Sequence, residues 1–282
     1  MDKELQKKKA DEFLKLHLVP QILLLPNAWD VMTAKIYEQL GFKAIGTTSA
    51  GIAATLGYPD GQVMSLEENL SVVKRIVENT NLPVSADIEA GYSTTTEGVV
   101  KTAEAAVNIG AVGINLEDST GNGDNPFFEI YEIVDRIKAI RSMADSKGFH
   151  LVINLRTDVY MLGKEKHAEK FKHTVERANI YKDAGADCIF VPDMGDFNEQ
   201  IIAELVKEIN APLNIIAGVN IPSIQKLGKI GVARLSFGPR PMRTIYANLK
   251  RIMHEIIFDG TYKKMCTDTL TYSEVNNMLS KK

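Results

Sequence analysis

The sequence has too few cysteines for a disulfide framework or a cysteine-based metal cluster. It contains two, Cys188 and Cys266, in 282 residues. Cys188 lies inside an apolar run, where a cysteine is more often a core residue than a nucleophile. A disulfide-stapled scaffold and a zinc site built on cysteine are therefore excluded.

The sequence also lacks long apolar runs and clusters of one charge. No apolar run approaches the ~18 residues of a membrane span, and the first residues are too charged for a secretion signal, so we expect a cytoplasmic protein without a membrane partner. The net charge is −3, with acids and bases mixed along the chain. Because no basic surface is indicated, we expect a small-molecule ligand and no nucleic-acid partner.

What the sequence does contain is eight short apolar runs, at residues 22–29, 44–49, 83–91, 113–118, 150–158, 187–193, 212–218 and 234–239. Helical periodicity separates them, at about residues 30–40, 66–79, 96–109, 127–147, 165–184, 196–209, 221–229 and 240–257. This alternation predicts an α/β fold, a single (β/α)8 TIM barrel over residues 1–282 with extra terminal helices. An open doubly wound sheet is the weaker alternative, since no Gly-x-Gly-x-x-Gly motif opens the first helix.

Carboxylates lie in the last residues of two neighbouring apolar runs. Because strand side chains alternate, Asp87 and Glu89 are expected on one face at the barrel mouth, and Glu117 is expected at the same rim. Adjacent inward carboxylates stay ionised only beside a cation, and all-oxygen ligands suit Mg²⁺, or Mn²⁺, rather than zinc. The plainer alternative is that each acid caps the following helix.

Three further segments carry candidate substrate-binding groups. Arg156 lies near the end of the fifth run and is either a counter-ion for Glu89 or Glu117 or a ligand for a substrate carboxylate, and both roles can hold together. Ser49 ends the second run and, with Ala50 and Gly51, offers a hydroxyl and backbone N–H groups. Asp60 lies in a Gly/Pro-bracketed loop able to close over the mouth, although an Asp before Gly also simply favours a turn.

Taken together, these motifs resemble those of the isocitrate lyase/phosphoenolpyruvate mutase superfamily. The resemblance covers roughly residues 12–255 and rests on the segments 27–30, 57–60, 86–92, 115–118 and 156–158. It implies a barrel that binds Mg²⁺ and an α-keto acid or its enolate, and that makes or breaks a C–C or P–C bond beside the carbonyl.

The resemblance also implies roles for individual residues. Asp87 is similar to the ligand closest to the metal, with Glu89 and Glu117 acting largely through water. Arg156 is similar to the arginine that binds the substrate carboxylate, and Asp60 to the aspartate of a gating loop. Ser49, Ala50 and Gly51 resemble the backbone cradle, and Trp29 an aromatic wall of the pocket.

The loop after the fourth run departs from both well-known activities. The lyases have a Lys-Lys/Arg-Cys-Gly-His segment there, whereas residues 119–126 contain neither cysteine nor histidine. Asn125 sits at the mutase spacing, but Gly123 occupies the position of the mutase lysine. The chain therefore resembles the phosphonomutase-like branch without the lyase loop.

Two more polar residues near strand ends are candidates. Asp193 stands where the lyases have a glutamate and the mutases a histidine, which implies a place in the polar network around Arg156. Asn214 either binds a substrate carboxylate or satisfies backbone groups.

Three functions follow as hypotheses. The first is an Mg²⁺-dependent lyase or hydrolase acting beside the carbonyl of an α-keto acid or carboxylate through a pyruvate-like enolate. The second is phosphonomutase-type P–C bond chemistry on a phosphoenolpyruvate or carboxyphosphonate substrate. The third is a catalytically silent protein that binds the metal and a keto acid. Resemblance also suggests a homodimer or homotetramer that uses the C-terminal helical region, about residues 240–282.

Overall fold

The computed structural model describes residues 2–193, 195 and 197–280 and contains one sheet of parallel strands. The strands are β1 (Leu23–Leu25), β2 (Asn27–Ala28), β3 (Ile45–Thr47), β4 (Val84–Asp87), β5 (Gly113–Glu117), β6 (Val152–Arg156), β7 (Cys188–Phe190), β8 (Leu213–Ile216) and β9 (Arg234–Ser236). Each lies within one of the eight apolar runs, and the first run supplies both β1 and β2.

The sheet closes on itself through the first apolar run. Pro26, which has no N–H to donate, separates β1 from β2. β1 pairs with β9, with Leu23 opposite Arg234, whereas β2 pairs with β3, with Asn27 opposite Gly46. Because the two segments of one run pair with opposite ends of the sheet, the structure is a barrel. The TIM-barrel prediction is confirmed, and the open-sheet alternative is wrong.

Helices surround the barrel and follow the strands in the predicted order. They are α1 (Lys3–Leu18), α2 (Val31–Gln39), α3 (Ser49–Leu56), α4 (Leu66–Glu78), α5 (Thr96–Asn108), α6 (Ile130–Ser146), α7 (Val159–Leu162), α8 (His167–Ala184), α9 (Glu199–Glu208), α10 (Ile224–Ile230), α11 (Arg240–His254) and α12 (Tyr272–Leu279). A π-helical turn, Glu255–Asp259, continues α11. None of the helices among the described residues is long and apolar enough to cross a membrane.

Two short helices inside the barrel region were not predicted. α3 has eight residues and α7 has four, so neither is long enough to show a clear apolar period. α3 begins after Thr48, whose side chain accepts a hydrogen bond from the Gly51 N–H. The segment read from the sequence as a cradle is therefore the first turn of a helix, where backbone N–H groups have no partner within the helix.

The end of the barrel where the strands begin is closed by α1. Ala10 and Phe13 of this helix pack against a small buried cluster that includes Leu25 and Val152. Gly113 makes room for the aromatic ring, since a Cβ at this position would lie 2.7 Å from Cε1 of Phe13. Among the described residues, α1 therefore covers the end of the barrel where the strands begin.

His17, at the end of α1, faces the interior of this closed end. Its Nδ1 lies 2.8 Å from the carbonyl oxygen of Phe13, and its Nε2 lies 3.5 Å from a guanidinium nitrogen of Arg234. Both side chains are buried. Burial, followed by the charge of Arg234, lowers the pKa of His17 to about 4. The folded protein therefore keeps this imidazole neutral, whereas the unfolded chain protonates it near its ordinary pKa of 6.5.

We expect acid to destabilise the protein through His17. Because the folded pKa lies below the unfolded one, this contribution is complete above about pH 6.5 and is lost as the pH falls toward 4. At pH 5 the wild type should lose about 2 kcal/mol more of its pH 7 unfolding free energy than His17→Gln does. Urea unfolding of both proteins at the two pH values measures this difference. Equal losses would show that His17 does not titrate between the two states.

Candidate active site

A cavity of about 240 Å³ opens at the ends of the strands. It is lined by seven of the residues singled out from the sequence: Ser49, Ala50, Asp60, Asp87, Arg156, Asp193 and Asn214. A larger groove of about 780 Å³ lies between α12 and the helices α2 and α4, away from the strand ends. The smaller cavity is the candidate active site because the ionisable groups converge there.

Asp87, the last residue of β4, is held in one orientation by hydrogen bonds from three elements. Its Oδ2 accepts from the backbone N–H of Ser49 at 3.0 Å, and its Oδ1 accepts from Asn115 Nδ2 at 3.0 Å. Its own N–H donates to Thr47 Oγ1 at 2.9 Å. The Ser49 contact sets the carboxylate at the positive end of α3. Asp87 is therefore a fixed anion on the cavity wall.

The amide that supports Asp87 is itself oriented from the next strand. Asn154 Nδ2 donates to Asn115 Oδ1 at 2.7 Å, which leaves the Asn115 NH2 group directed at Asp87. Both asparagines are buried. This chain of amides fixes Asp87 from β5 and β6 in addition to α3.

Glu89 lies behind the cavity and not on its wall. β4 ends at Asp87, and Glu89 has a left-handed backbone with φ of 49°, so the strand alternation does not extend to it. Its carboxylate accepts from the Gln62 N–H and from Tyr92 Oη, each at 2.8 Å. Burial, then the charge of Asp87, raises the pKa of Glu89 to about 7. Glu89 thus anchors the loop that carries Asp60.

Asp60 lies on that anchored loop, at the rim of the cavity. Its pKa is raised above the ordinary range, first by desolvation and then by the charge of Asp87, while hydrogen bonds from Gly61 and Ser49 oppose the increase. Gln62, two residues on, has φ of 59° and is tied to Glu89. Strained backbone next to an ionisable rim residue is typical of functional loops.

Arg156 forms the centre of a buried ion-pair group with Glu117 and Asp158. One guanidinium nitrogen lies 3.0 Å from Glu117 Oε2, and Nε lies 2.6 Å from Asp158 Oδ1. Burial raises the pKa of Glu117, and the charge of Arg156 opposes that rise. Arg156 is therefore the counter-ion of Glu117. Because it also lines the cavity, a second role toward substrate is compatible with this geometry.

Three of the predicted substrate or catalytic residues lie outside the cavity lining. Trp29 is buried in the core beside Gly51. A Cβ added at Gly51 would lie 2.9 Å from the Cβ of Trp29. The Gly51 N–H donates a hydrogen bond to Thr48 Oγ1 at 3.3 Å. Asn125 is exposed in the loop between β5 and α6. Their roles toward substrate stay predictions.

The structure also places Asp193 and several unpredicted residues at the cavity. Asp193 Oδ2 accepts from the N–H groups of Gly195 and Phe197, at 2.8 and 3.0 Å. Unpredicted lining residues include Asn27, Ser85, Asn115, Arg234, Ser236, Arg240 and Arg243. Two of these could have been found by strand alternation, since Ser85 lies two residues before Asp87 and Asn115 two residues before Glu117.

The donor atoms fit a magnesium ion that keeps much of its hydration. Within the described part of the chain, no group of three or more His, Cys, Asp or Glu side chains is placed to hold a metal together. Asp87 alone among the three predicted metal carboxylates lines the cavity, and Glu89 and Glu117 lie behind it. Magnesium is commonly bound through one or two carboxylates and several waters, so Asp87 would be the direct ligand. A closed protein cage of the zinc or calcium type does not fit.

Comparison with known proteins gives a consistent result. The family model described as phosphoenolpyruvate phosphomutase matches residues 13–257. A Mycobacterium tuberculosis protein without an assigned function is 35% identical over 231 residues, which cover 81% of this chain and 82% of the relative. The 2-methylisocitrate lyase of Halalkalibacterium halodurans is 28% identical over 287 residues, covering 98% and 91%.

Solved structures show the same likeness. A Burkholderia cenocepacia protein assigned as a lyase or mutase superimposes with a TM-score of 0.90 at 32% identity, covering 97% of this chain and 96% of that one. Phosphonopyruvate hydrolase in complex with oxalate and Mg²⁺ superimposes with a TM-score of 0.84 at 20% identity, covering 96% and 94%. The second likeness is one of fold alone.

We expect Arg156→Ala to destabilise the fold because it leaves two buried carboxylates without their cation. Breaking a buried pair of this kind costs about 3–5 kcal/mol. Arg156→Lys keeps the charge and should cost clearly less, and Arg251→Ala, on the exposed face of α11, should be close to neutral. Urea unfolding followed by circular dichroism tests the series. An alanine variant as stable as the wild type would contradict the ion-pair account.

Proposed function

Because the chain belongs to the phosphoenolpyruvate phosphomutase family, within the isocitrate lyase/phosphoenolpyruvate mutase superfamily, we propose that it is an Mg²⁺-dependent lyase or hydrolase. The proposed reaction makes or breaks a C–C bond beside the carbonyl of an α-keto acid or carboxylate through a pyruvate-like enolate. The proposed location is the cavity at the strand ends.

One observation carries this proposal: the Asp87 carboxylate is fixed on the cavity wall beside the first turn of α3. Ser49 N–H holds Asp87 at 3.0 Å. Ala50, the next residue, lines the cavity, and its N–H is one of the first four in the helix. A cation held by Asp87 and an anion held by Ala50 would thus lie side by side, which suits a keto acid whose carboxylate and carbonyl oxygens are adjacent.

Magnesium, when bound, would supply Lewis-acid stabilisation of the negative charge that develops on the substrate oxygens. The protein's own groups would do the rest. Asp87 would hold the ion, and the first turn of α3 would orient the substrate carboxylate. Arg156 adds a guanidinium to the same cavity, already positioned by Glu117 and Asp158. Asp60, with a raised pKa at the rim, is placed to exchange a proton with the substrate or its leaving group.

The lyase relatives and the position of Asn125 support the C–C reaction. Two of them, at 28% and 26% identity, are 2-methylisocitrate lyase and 2,3-dimethylmalate lyase. Asn125, the residue that matches the mutases, lies in an exposed loop that does not line the cavity. Phosphonomutase chemistry is therefore the second candidate, and a silent binding protein is the third.

We predict turnover of at least one superfamily substrate and its loss in Asp60→Asn. Purified protein with Mg²⁺ should be incubated with 2-methylisocitrate, 2,3-dimethylmalate, oxaloacetate and phosphonopyruvate, with products followed by ¹H and ³¹P NMR. Removing an acid–base group typically lowers the rate about 100-fold or more. Glu67→Gln, an exposed change on α4, is the matched control and should keep full activity.

The outcomes separate the three candidates. Products from a C–C substrate support the proposal, and a changed ³¹P spectrum alone supports the mutase. Full activity in Asp60→Asn would remove that residue from the mechanism. Keto-acid binding without any turnover would indicate the silent binding protein.

We also propose that the chain forms a homo-oligomer through its C-terminal helical region. α11 and the turn after it expose a row of apolar side chains, including Ile245, Leu249, Ile257 and Phe258. Exposed apolar patches of this kind mark contact surfaces. Analytical ultracentrifugation should show a dimer or larger species that Leu249→Glu dissociates. A monomeric wild type would contradict the proposal.

A further inference from the structure

The carboxylate of Asp118 joins the ends of two strands to helix α8, behind the cavity. Asp118 directly follows β5 and has no exposed surface. Its Oδ1 accepts from the backbone N–H of Asp158 at 3.0 Å. Its Oδ2 accepts from Arg177 Nη1 and from Tyr181 Oη, each at 3.1 Å. One buried anion therefore connects β5, the residues after β6 and α8.

Arg177 is the cation that compensates this buried carboxylate. It lies one turn before Tyr181 on α8, and its Nη1 also donates to Tyr181 Oη at 2.7 Å. Tyr181 is itself buried, so its hydroxyl supports Asp118 from a fixed position. A buried carboxylate that loses its cation is strongly destabilised. The orientation of Asp118 therefore depends on Arg177.

Asp118 in turn holds Arg156 from two directions. The Asp118 N–H donates to the carbonyl oxygen of Arg156 at 3.1 Å. Asp158, whose N–H is fixed by Asp118, accepts from Arg156 Nε at 2.6 Å. Arg156 lines the cavity, whereas Asp118 and Arg177 lie outside its lining. The contacts thus form a continuous path from α8 to a guanidinium at the cavity.

The same arginine of α8 holds the end of the loop 119–128. Arg177 Nη1 donates to the carbonyl oxygen of Phe128 at 3.1 Å, and its guanidinium carbon lies 5.2 Å from the centre of the Phe127 ring. The Phe128 N–H donates to the carbonyl oxygen of Asp118 at 2.9 Å. The loop in which the sequence departs from the lyases and mutases is therefore attached at its end to Asp118 and Arg177.

We propose that Arg177 is a positioning residue for substrate binding: through Asp118 it fixes the guanidinium of Arg156 and the end of the loop 119–128 in one arrangement. The role rests on the proposed function, since that function brings a carboxylate substrate to Arg156. Arg177 itself does not line the cavity. A misplacement of about 1 Å, even from a change far from the reacting atoms, can lower a rate about 100-fold. A helix residue behind the site can therefore control binding at Arg156.

The first readout follows Arg156 by NMR and needs no ligand. Because Arg156 Nε–H donates to Asp158 at 2.6 Å, it should give a side-chain ¹⁵N–¹H signal that exchanges slowly with water. Arg156→Lys identifies this signal by removing it. We expect Arg177→Met to shift the signal and to speed its exchange about tenfold or more, because Asp158 loses its support.

The second readout is calorimetric binding of oxalate in the presence of Mg²⁺. Arg177→Met should weaken this binding about tenfold in folded protein, because a displaced Arg156 loses its charge-assisted contact with the oxyanion. Arg177→Lys keeps the charge and should recover part of both effects. Tyr181→Phe removes one of the two side-chain donors to Asp118 and should shift the Arg156 signal in the same direction, by less.

Arg141→Met is the matched control that separates positioning from loss of stability. Arg141, on α6, makes an ion pair with Asp187 at 2.7 Å, just before β7 begins and so at the opposite end of the barrel from the cavity. The Arg141 side chain is 17% exposed, against 15% for Arg177. Its substitution should lower the unfolding free energy but leave the Arg156 signal and the oxalate affinity as in the wild type.

The inference is overturned if Arg177→Met leaves the Arg156 signal unchanged, if it leaves the affinity unchanged in a protein that binds oxalate, or if Arg141→Met has the same effects. Where Arg177→Met does not fold, the same criteria apply to Arg177→Lys and Tyr181→Phe. A shifted Arg156 signal in a protein that binds no oxalate would support the positioning contacts and contradict the proposed function. Mg²⁺-dependent oxalate binding with an Arg156 signal that does not respond to Arg177 would do the reverse.

Discussion

The contact between the Asp87 carboxylate and the Ser49 N–H is the interaction on which the site depends. It joins the end of β4 to the first turn of α3, and so couples a carboxylate to a helix N-terminus in one place. The Asn154–Asn115 relay supports the same carboxylate from the neighbouring strands. The barrel therefore fixes an anion and a set of backbone donors side by side, which is the combination that a chelated keto acid requires.

Some of the charged groups around Asp87 make ion pairs within the protein, and others make none among the described residues. Arg156 is matched by Glu117 and Asp158, and Glu89 is used to hold the Asp60 loop. The cavity is also lined by Asp60 and Asp87 and by Arg240 and Arg243 of α11. Glu89, Glu117 and Asp158 thus make positioning contacts within the protein.

The fold and about half of the site could be predicted because strand ends are visible in a sequence. Apolar runs that finish in polar residues placed Asp87, Arg156 and Asn214 correctly at the barrel mouth. Glu89 could not be placed, since β4 stops at Asp87 and a left-handed residue turns the chain. Arg240 and Arg243 were missed because α11 reaches the cavity only through barrel closure and the turn held by Asn27. These contacts join residues more than 200 positions apart in the sequence, beyond any local pattern.

The most direct test of the enolate site is calorimetric titration of oxalate, a stable mimic of the pyruvate enolate, into metal-free protein with and without Mg²⁺. The account predicts tight binding only when Mg²⁺ is present, and its loss in Asp87→Asn, which keeps the shape but removes the charge. Asp30→Asn, at the N-cap of α2, is a control that should bind as the wild type does. Binding that is independent of Mg²⁺, or unchanged by Asp87→Asn, would contradict the account.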